Sequence, residues 1–357
     1  MSLDLINGIQ RRKTREITVG SLKLGGAHPI RVQSMTTPKT EDVDAVVKQI
    51  KELVTAGCEI VRITVNDQRA ADALPHILKQ VSIPVVADVH FDYKMALESM
   101  KHGVACVRIN PGNIGAEWKT IEVIQRAKDT GTALRIGVNA GSLEKPLLKK
   151  YGHPTPEALV ESAMQAIQLV ENQGFLNFKV SIKSSDVINN YRAYALLSAQ
   201  TEAPLHLGVT ESGTKTYGSI KSAVGIGSLL LAGIGDTIRV SLSCDPVDEV
   251  KAGVYMLKSI GLKNDTPEII ACPSCGRADI DVYSLAEEVE RRALGLGKNI
   301  KIAVMGCVVN GPGESMEADI GIAGGKGEGL VYKKGKPIGK VPEAQMLDFL
   351  MNEIERM

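Results

Sequence analysis

The sequence predicts an α/β protein, a TIM (β/α)8 barrel followed by a small α+β domain. Three observations predict it. Eight short β-rich runs recur between residues 30 and 262, segments of helical periodicity separate them, and past Lys263 this rhythm gives way to a stretch carrying three cysteines. Strands that alternate with helices form parallel βαβ units, and eight such units suit a barrel, which typically takes ~250 residues. A doubly wound sheet is the competing fold, since a strand count from sequence carries error.

Residues 1–29 precede the first unit. Ile17 to Gly26 reads as a hairpin turning at Gly20-Ser21, placed to close the bottom of the barrel. The eight runs are Ile30–Met35, Ile60–Val65, Val85–Val89, Ala105–Asn110, Leu134–Asn139, Phe178–Lys183, Leu205–Val209 and Thr237–Leu242. Between them the apolar spacing is helical, as in Val43, Val46, Val47, Ile50, Leu53 and Val54, or Leu159, Ala163, Ala166, Ile167 and Val170. The chain turns polar from Lys263 to Thr266 and meets Pro267, which marks a domain boundary and leaves 263–357 as a second domain. There, strands are expected at Glu268–Ala271, Ile300–Met305, Asp319–Ala323 and Leu330–Lys333. Helices are expected from Ser284 to Leu294 and from Pro342 onward.

Composition excludes several classes. With 42 Lys+Arg against 41 Asp+Glu, the chain lacks the basic excess of a general nucleic-acid binder. Aromatic residues make up 4%, too few for a base-stacking surface. Met1 to Gly20 does not read as a signal peptide, and Ala223 to Gly235 is too short and glycine-rich to span a bilayer. A soluble, cytoplasmic protein is expected. Six cysteines in 357 residues do not make a disulfide scaffold, and Cys58 and Cys106 lie in apolar runs as core residues.

In a TIM barrel the active site lies at the C-terminal ends of the strands. Those ends carry Gln33 and Ser34; Arg62, Thr64 and Asn66; Asp88 and His90; Arg108 and Asn110; Arg135 and Asn139; Ser181 and Lys183; Thr210 and Glu211; and Arg239, Ser241 and Ser243. Arg62, Arg108, Arg135 and Arg239 interrupt otherwise apolar strands, where an unpaired charge is costly. One such arginine is an ordinary wall ion pair. Four, with Lys183, point to a polyanion, because guanidinium forks match phosphate oxygens. A diphosphate or bisphosphate fits five cations better than one carboxylate does, with Asn110, Asn139 and Ser241 completing the cradle. Asp88 serves either a substrate hydroxyl or an arginine. His206 is either a ligand contact or a hydrogen-bonded core histidine. Glu211 is the candidate acid for protonating an oxygen, or it balances an arginine.

The thiolates lie in Cys272-Pro-Ser-Cys275 and in Gly306-Cys307-Val-Val-Asn-Gly-Pro-Gly-Glu314, whose Asn-Gly-Pro-Gly-Glu part reads as a turn. A Cys-x-x-Cys turn lets two thiolates hold one metal or cluster. Structural zinc and most iron–sulfur clusters use four protein ligands, yet no cysteine or histidine follows Cys307. Cys244 and Glu314 are the two candidates for a fourth donor, the carboxylate being the harder and more labile one. An iron–sulfur cluster is favoured over zinc and over a redox cysteine pair. The Gly-rich segment Gly321–Glu328 is no Walker loop, since Ile320 and Gly327 stand where a glycine and a Ser/Thr belong.

Several segments together carry a family pattern. They include Gly-Gly-Ala-His-Pro-Ile-Arg-Val-Gln-Ser-Met-Thr (25–36), Val-Arg-Ile-Asn-Pro-Gly (107–112), Arg-Ile-Gly-Val-Asn-Ala-Gly-Ser (135–142) and Leu-His-Leu-Gly-Val-Thr-Glu (205–211). With Cys-Pro-Ser-Cys-Gly-Arg (272–277) and the segment 306–314, the chain resembles the 4-hydroxy-3-methylbut-2-enyl diphosphate synthases, end to end, in their short bacterial form. The resemblance implies a [4Fe–4S] cluster on Cys272, Cys275, Cys307 and Glu314. It implies 2-C-methyl-D-erythritol 2,4-cyclodiphosphate as substrate, opened and dehydroxylated with two electrons from ferredoxin or flavodoxin. It places Arg62, Arg108, Arg135, Asn139, Lys183, Arg239 and Ser241 on the diphosphate, and Asp88 and Glu211 at polar positions of the site, Glu211 being the acid. It also implies a homodimer in which the cluster domain of one subunit closes over the barrel of the other. Two rivals stand beside it: a zinc-stabilised binding module on a barrel, and a non-redox barrel transferase resembling the pterin-binding synthases.

Overall fold

A computed structural model describes residues 5–6, 8–264 and 266–357. The chain divides into two compact units, one up to Leu262 and one from Lys263.

The first unit opens with two short antiparallel pairs, β1 (Leu5–Ile6) with β2 (Ile9–Gln10), and β3 (Ile17–Val19) with β4 (Leu22–Leu24). Eight parallel strands follow: β5 (Arg31–Met35), β6 (Ile60–Thr64), β7 (Val85–Asp88), β8 (Cys106–Ile109), β9 (Ala133–Asn139), β10 (Phe178–Lys183), β11 (His206–Leu207) and β12 (Thr237–Ile238). Their spatial order is β10-β9-β8-β7-β6-β5-β12-β11, and a parallel bridge from Val180 to Leu205 brings the two ends together. The sheet is therefore a nearly closed barrel, as the alternation of strand and helix predicts.

The connecting helices are α1 (Val43–Thr55), α2 (Gln68–Leu78), α3 (Tyr93–Lys101), α4 (Pro111–Ile114), α5 (Glu117–Thr130), α6 (Lys145–Tyr151), α7 (Pro156–Asn172), α8 (Val187–Ser198), α9 (Lys215–Leu231) and α10 (Pro246–Ser259). Asp42, Asp67, Asp92, Asp186 and Asp245 each cap a helix by accepting from a backbone N–H of its first turn. Such caps satisfy donors that the helix leaves orphaned. The apolar faces of these helices and the outward strand residues form one continuous core.

Below it, Ile17, Val19 and Leu24 of the hairpin pack on Ile60, Val86, Cys106 and Ala133 near the N-terminal ends of β6 to β9. Cys58 and Cys106 are buried, and burial pushes their thiols up to about 12 and about 11, so both are inert.

The runs expected at 205–209 and 237–242 shrink to two residues each. Beyond Leu207 and Ile238 the regular ladder gives way to scattered bonds. The Arg239 N–H still donates to the Leu207 carbonyl at 3.0 Å, but the Thr210 N–H turns to the Ser184 carbonyl at 3.3 Å. Other donors turn to side chains. The Leu242 N–H, for one, donates to Glu249 Oε1 at 2.7 Å.

The second unit is a five-stranded sheet ordered β13 (Glu268–Ala271), β14 (Lys301–Met305), β15 (Ile320–Gly325), β16 (Glu328–Lys333), β17 (Lys336–Pro342), with α11 (Val282–Ala293), α12 (Gly311–Glu317) and α13 (Met346–Glu355). Two expectations are corrected here. The segment expected to start a helix at Pro342 is instead the end of β17, and the helix begins at Met346. Of β17 only Val341 is buried, so the strand shows no alternation of apolar residues. It is an edge strand, where Pro337 is tolerated. The Gly-Pro-Gly-Glu segment, read as a turn, is the first turn of α12. Proline suits that position because no N–H is needed there. Gly311 is required by close packing, since a Cβ would stand 2.7 Å from that of Ala323.

Candidate active site

The barrel alternates inward and outward residues, so its register decides what meets at the mouth. Asp88 pairs with Arg108, Arg108 with Arg135, and Asn139 with Lys183, so these side chains share the inner face. A cavity of about 200 Å3 opens above them, lined by Arg62, Asp88, His90, Arg108, Arg135, Asn139, Lys183, Thr210, Glu211, Arg239 and Ser241.

Asp88 is the hub of one side. Its Oδ1 accepts from Arg108 Nη1 at 3.1 Å, while its Oδ2 lies 3.4 Å from Arg62 Nε and 3.8 Å from His90 Nε2. Of the two roles open to Asp88 in the sequence, the arginine partner is the one seen. Burial alone raises its pKa, but Arg62 and Arg108 outweigh that and hold the carboxyl below its ordinary value. Arg62 also points Nη2 at Met35 Sδ, 2.9 Å away. With its amide oriented to satisfy both ends, Asn139 accepts from Arg108 Nη2 at 3.2 Å.

On the other side, Arg239 Nη2 donates to both oxygens of Glu249 on α10, at 3.3 and 3.2 Å. Glu249 was not among the acids foreseen; its burial inside the helix layer gives no sign in the sequence. Arg135 has no carboxylate partner among the described residues. It donates to Ser181 Oγ at 3.0 Å, and its Nη1 is buried without a partner. Burial and the neighbouring guanidiniums push both Arg135 and Lys183 well below their ordinary pKa values. Five cations thus face the cavity against Asp88 and Glu211, with Glu249 behind Arg239. The surplus is positive and sits in a small polar recess, where fixed charges act most strongly.

Glu211 is exposed at the rim with φ +45. That left-handed backbone favours glycine, and a side chain there costs ~1–2 kcal/mol. Such conformations cluster at functional sites.

Asn110, expected in the cradle, and His206, left open between a ligand contact and a core histidine, are not among the residues that line the cavity. Asn110 caps α4, accepting from the Gly112 N–H at 3.2 Å, and donates to Ser142 Oγ at 3.3 Å. His206 is wholly buried inside the barrel, with Nδ1 2.8 Å from Thr237 Oγ1. Burial, then Arg135 and Lys183, drive its pKa well below the ordinary histidine value, so its imidazole is neutral.

In the second unit the thiols occupy one edge. Cys272 and Cys307 follow the adjacent parallel strands β13 and β14, and the Gly306 N–H donates to Cys272 Sγ at 3.2 Å. Ser274, between Cys272 and Cys275, has φ +40, which folds the Cys-x-x-Cys turn tightly. Cys275 is exposed, and the backbone N–H and charge of Arg277 lower its pKa. Glu314 is exposed in the first turn of α12, whose Gly311 N–H bonds the Cys307 carbonyl at 3.1 Å.

Among the described residues, no three histidine, cysteine or carboxylate side chains stand close enough to share one metal ion. A four-iron cluster makes a different demand, because each protein ligand binds its own iron. Three accessible thiols and a carboxylate on adjoining segments, with an N–H donor on one sulfur, suit that demand. Zinc would need four donors around one point.

Residues 14–254 match the GcpE TIM-barrel domain and residues 268–356 the GcpE protein C-terminal domain. This chain belongs to the GcpE family. It is 54% identical over 347 residues to a 4-hydroxy-3-methylbut-2-en-1-yl diphosphate synthase (flavodoxin) from Caldanaerobacter subterraneus subsp. tengcongensis, covering 97% of this chain and 98% of the relative. The corresponding synthases of Geobacter sulfurreducens and Aquifex aeolicus are 52% and 53% identical, over 97% and 98% of this chain and 98% of each relative.

Among solved structures, a sialic acid synthetase from Leptospira borgpetersenii aligns with a TM-score of 0.52 at 14% identity, covering 78% of this chain and 96% of the other. A dihydropteroate synthetase aligns at 0.50 and 14% identity, covering 69% of this chain and 98% of the other. These likenesses concern the fold alone. Within the GcpE barrel, His90 and Thr210 join the cavity lining although they were noted only as strand-end residues. The signal that singles them out is spatial: each lies just past a strand end, beside Asp88 and Glu211 respectively.

Proposed function

We propose that this chain is a flavodoxin-dependent 4-hydroxy-3-methylbut-2-en-1-yl diphosphate synthase. It would open the ring of 2-C-methyl-D-erythritol 2,4-cyclodiphosphate reductively and release the hydroxyl as water. The observation that carries the reading is the cationic mouth, Arg62, Arg108, Arg135, Lys183 and Arg239 around one small cavity, in a chain 54% identical over nearly its whole length to such a synthase. Guanidinium forks held by Asp88, Glu249 and Ser181 present fixed donors to phosphate oxygens without reorganisation. The ring's diphosphate is also its leaving oxygen, so the same cations stabilise the charge that develops as the ring opens. Glu211, at the rim, is the group that donates a proton to the departing hydroxyl; Thr210 and Ser241 line the same cavity as hydroxyl donors.

We assign Cys272, Cys275, Cys307 and Glu314 as the residues that would hold a [4Fe–4S] cluster. That group would supply the two electrons singly, and its carboxylate-held iron would be the exchangeable position. Among the described residues, no helix is long and apolar enough to cross a membrane. A homodimer is the assembly we propose, on the strength of the family resemblance.

An anaerobic assay of reconstituted protein with the cyclodiphosphate and reduced flavodoxin tests the whole. Formation of the linear diphosphate alcohol is expected, with brown protein. Intact cyclodiphosphate after incubation with iron-loaded protein and excess reductant would overturn the assignment.

A further inference from the structure

Two barrel-wall glycines stand where the cations need room. We infer that Gly137 and Gly208 are positioning residues: their missing side chains form the seats of Arg108 and Lys183, and so set the span of the anion that the mouth accepts. The inference rests on the proposed anion-binding role of this cavity.

Gly137 lies on β9 between Arg135 and Asn139 and on their face of the strand, in register with Ser181. A Cβ built there would stand 2.8 Å from Arg108 Nε, 3.3 Å from Nη2 and 3.5 Å from Cζ. All three neighbours belong to one guanidinium, which therefore lies against the bare strand. From that seat it reaches Asp88 at 3.1 Å and Asn139 at 3.2 Å. Gly208 repeats the device, where a Cβ would meet Lys183 Nζ at 2.5 Å and Cε at 2.9 Å. Neither glycine has a positive φ, so space rather than backbone freedom is what each provides. TIM-barrel interiors are usually filled with branched side chains; here the wall is pared back under two charges.

A methyl at residue 137 pushes the guanidinium toward the barrel axis, off Asp88 and Asn139 and into the space of the anion. Gly137 gives the cleaner test, because a Cβ at Gly208 would also stand 2.9 Å from the Arg239 carbonyl oxygen. The experiment is a calorimetric titration of the full-length chain with inorganic pyrophosphate, using the unaltered protein, Gly137→Ala, Arg108→Ala and the double variant.

Gly137→Ala is expected to bind about tenfold more weakly, the scale of one charged hydrogen bond. In the Arg108→Ala background the same methyl should change nothing, since the group it displaces is gone. A penalty that persists undiminished in the double variant overturns the inference, as does unaltered binding by Gly137→Ala. If Gly137→Ala does not fold, thermal melting reads the same coupling. Recovery of the Arg108→Ala melting temperature by the double variant supports the inference, and continued unfolding overturns it. Failure of the proposed function looks different: the unaltered protein then ignores pyrophosphate, or binds it equally well without Arg108, and the seats lose their purpose.

Discussion

At the scale of single residues, the mouth separates cations that are held from cations that are free to bind. Arg62 and Arg108 share Asp88, and Arg239 has Glu249, whereas Arg135 has, among the described residues, only a serine hydroxyl. Arg135→Ala should therefore weaken pyrophosphate binding by about 2 kcal/mol, the worth of hydrogen bonds to a charged group, while leaving the melting temperature nearly unchanged. A variant that melts much earlier yet binds normally would make Arg135 a wall residue. Asp88→Asn should do the reverse. Removing one partner from a buried pair costs about 3 kcal/mol, so urea denaturation at pH 7 should show a markedly less stable barrel. The pH dependence follows from the lowered pKa of Asp88. Its contribution is present above the ordinary carboxylate pKa and is lost as pH falls through the depressed folded value. The two proteins should thus differ most near neutrality and converge below about pH 4. A constant difference down to pH 2 would show that the Asp88 charge is not what holds the arginines. The sequence made this cluster legible because arginine inside an apolar strand is conspicuous. It hid Glu249 because an acid on an amphipathic helix looks like a solvated one, and it could not show that Asn110 spends its side chain on a helix cap.

At the scale of elements, what was legible followed periodicity, and what was missed lacked it. All eight strands lie within apolar runs visible in the sequence, but the runs at 205–209 and 237–242 overstate β11 and β12, whose ladders of two residues each the sequence could not show. Nor could the sequence show how residues before the hairpin are bound. Arg11 reaches Asp236 at 3.2 Å, Thr14 donates to the same carboxylate at 3.0 Å, and Asp236 accepts the Leu205 N–H at 2.8 Å. These contacts tie the N-terminal segment to the strand that carries His206 and to the one that leads into Arg239. Leu24 of the hairpin is wholly buried against residues that begin the strands, and we propose that the hairpin is the barrel floor. Leu24→Ala should cost ~2–5 kcal/mol, the range for emptying a core leucine site, read as a lower urea midpoint for the barrel transition. A loss below 0.5 kcal/mol would mean that the hairpin lies on the barrel without sealing it.

At the scale of the whole molecule, the chain divides its chemistry between two units that are each coherent by themselves. Among the described residues, the groups that hold the mouth cations lie before residue 263: Asp88, Glu249, Ser181, Asn139 and Met35. The thiols instead hang from β13 and β14, whose core is built from Ile302, Val304, Ile320 and their neighbours in the second unit. Anion binding therefore should not depend on the proposed cluster site. Removing iron with a chelator under anaerobic conditions, or replacing Cys307 by alanine, is expected to abolish turnover of the cyclodiphosphate. Pyrophosphate affinity should stay within about twofold, as independent sites behave. The two readouts must be taken on the same preparation, with iron content measured beside calorimetry. A parallel fall of iron and pyrophosphate affinity would mean that the cations require the cluster unit for their arrangement. The barrel's own hydrogen bonds would then be insufficient to preorganise the mouth. Retained affinity with lost turnover is what two separately built sites serving one reaction require.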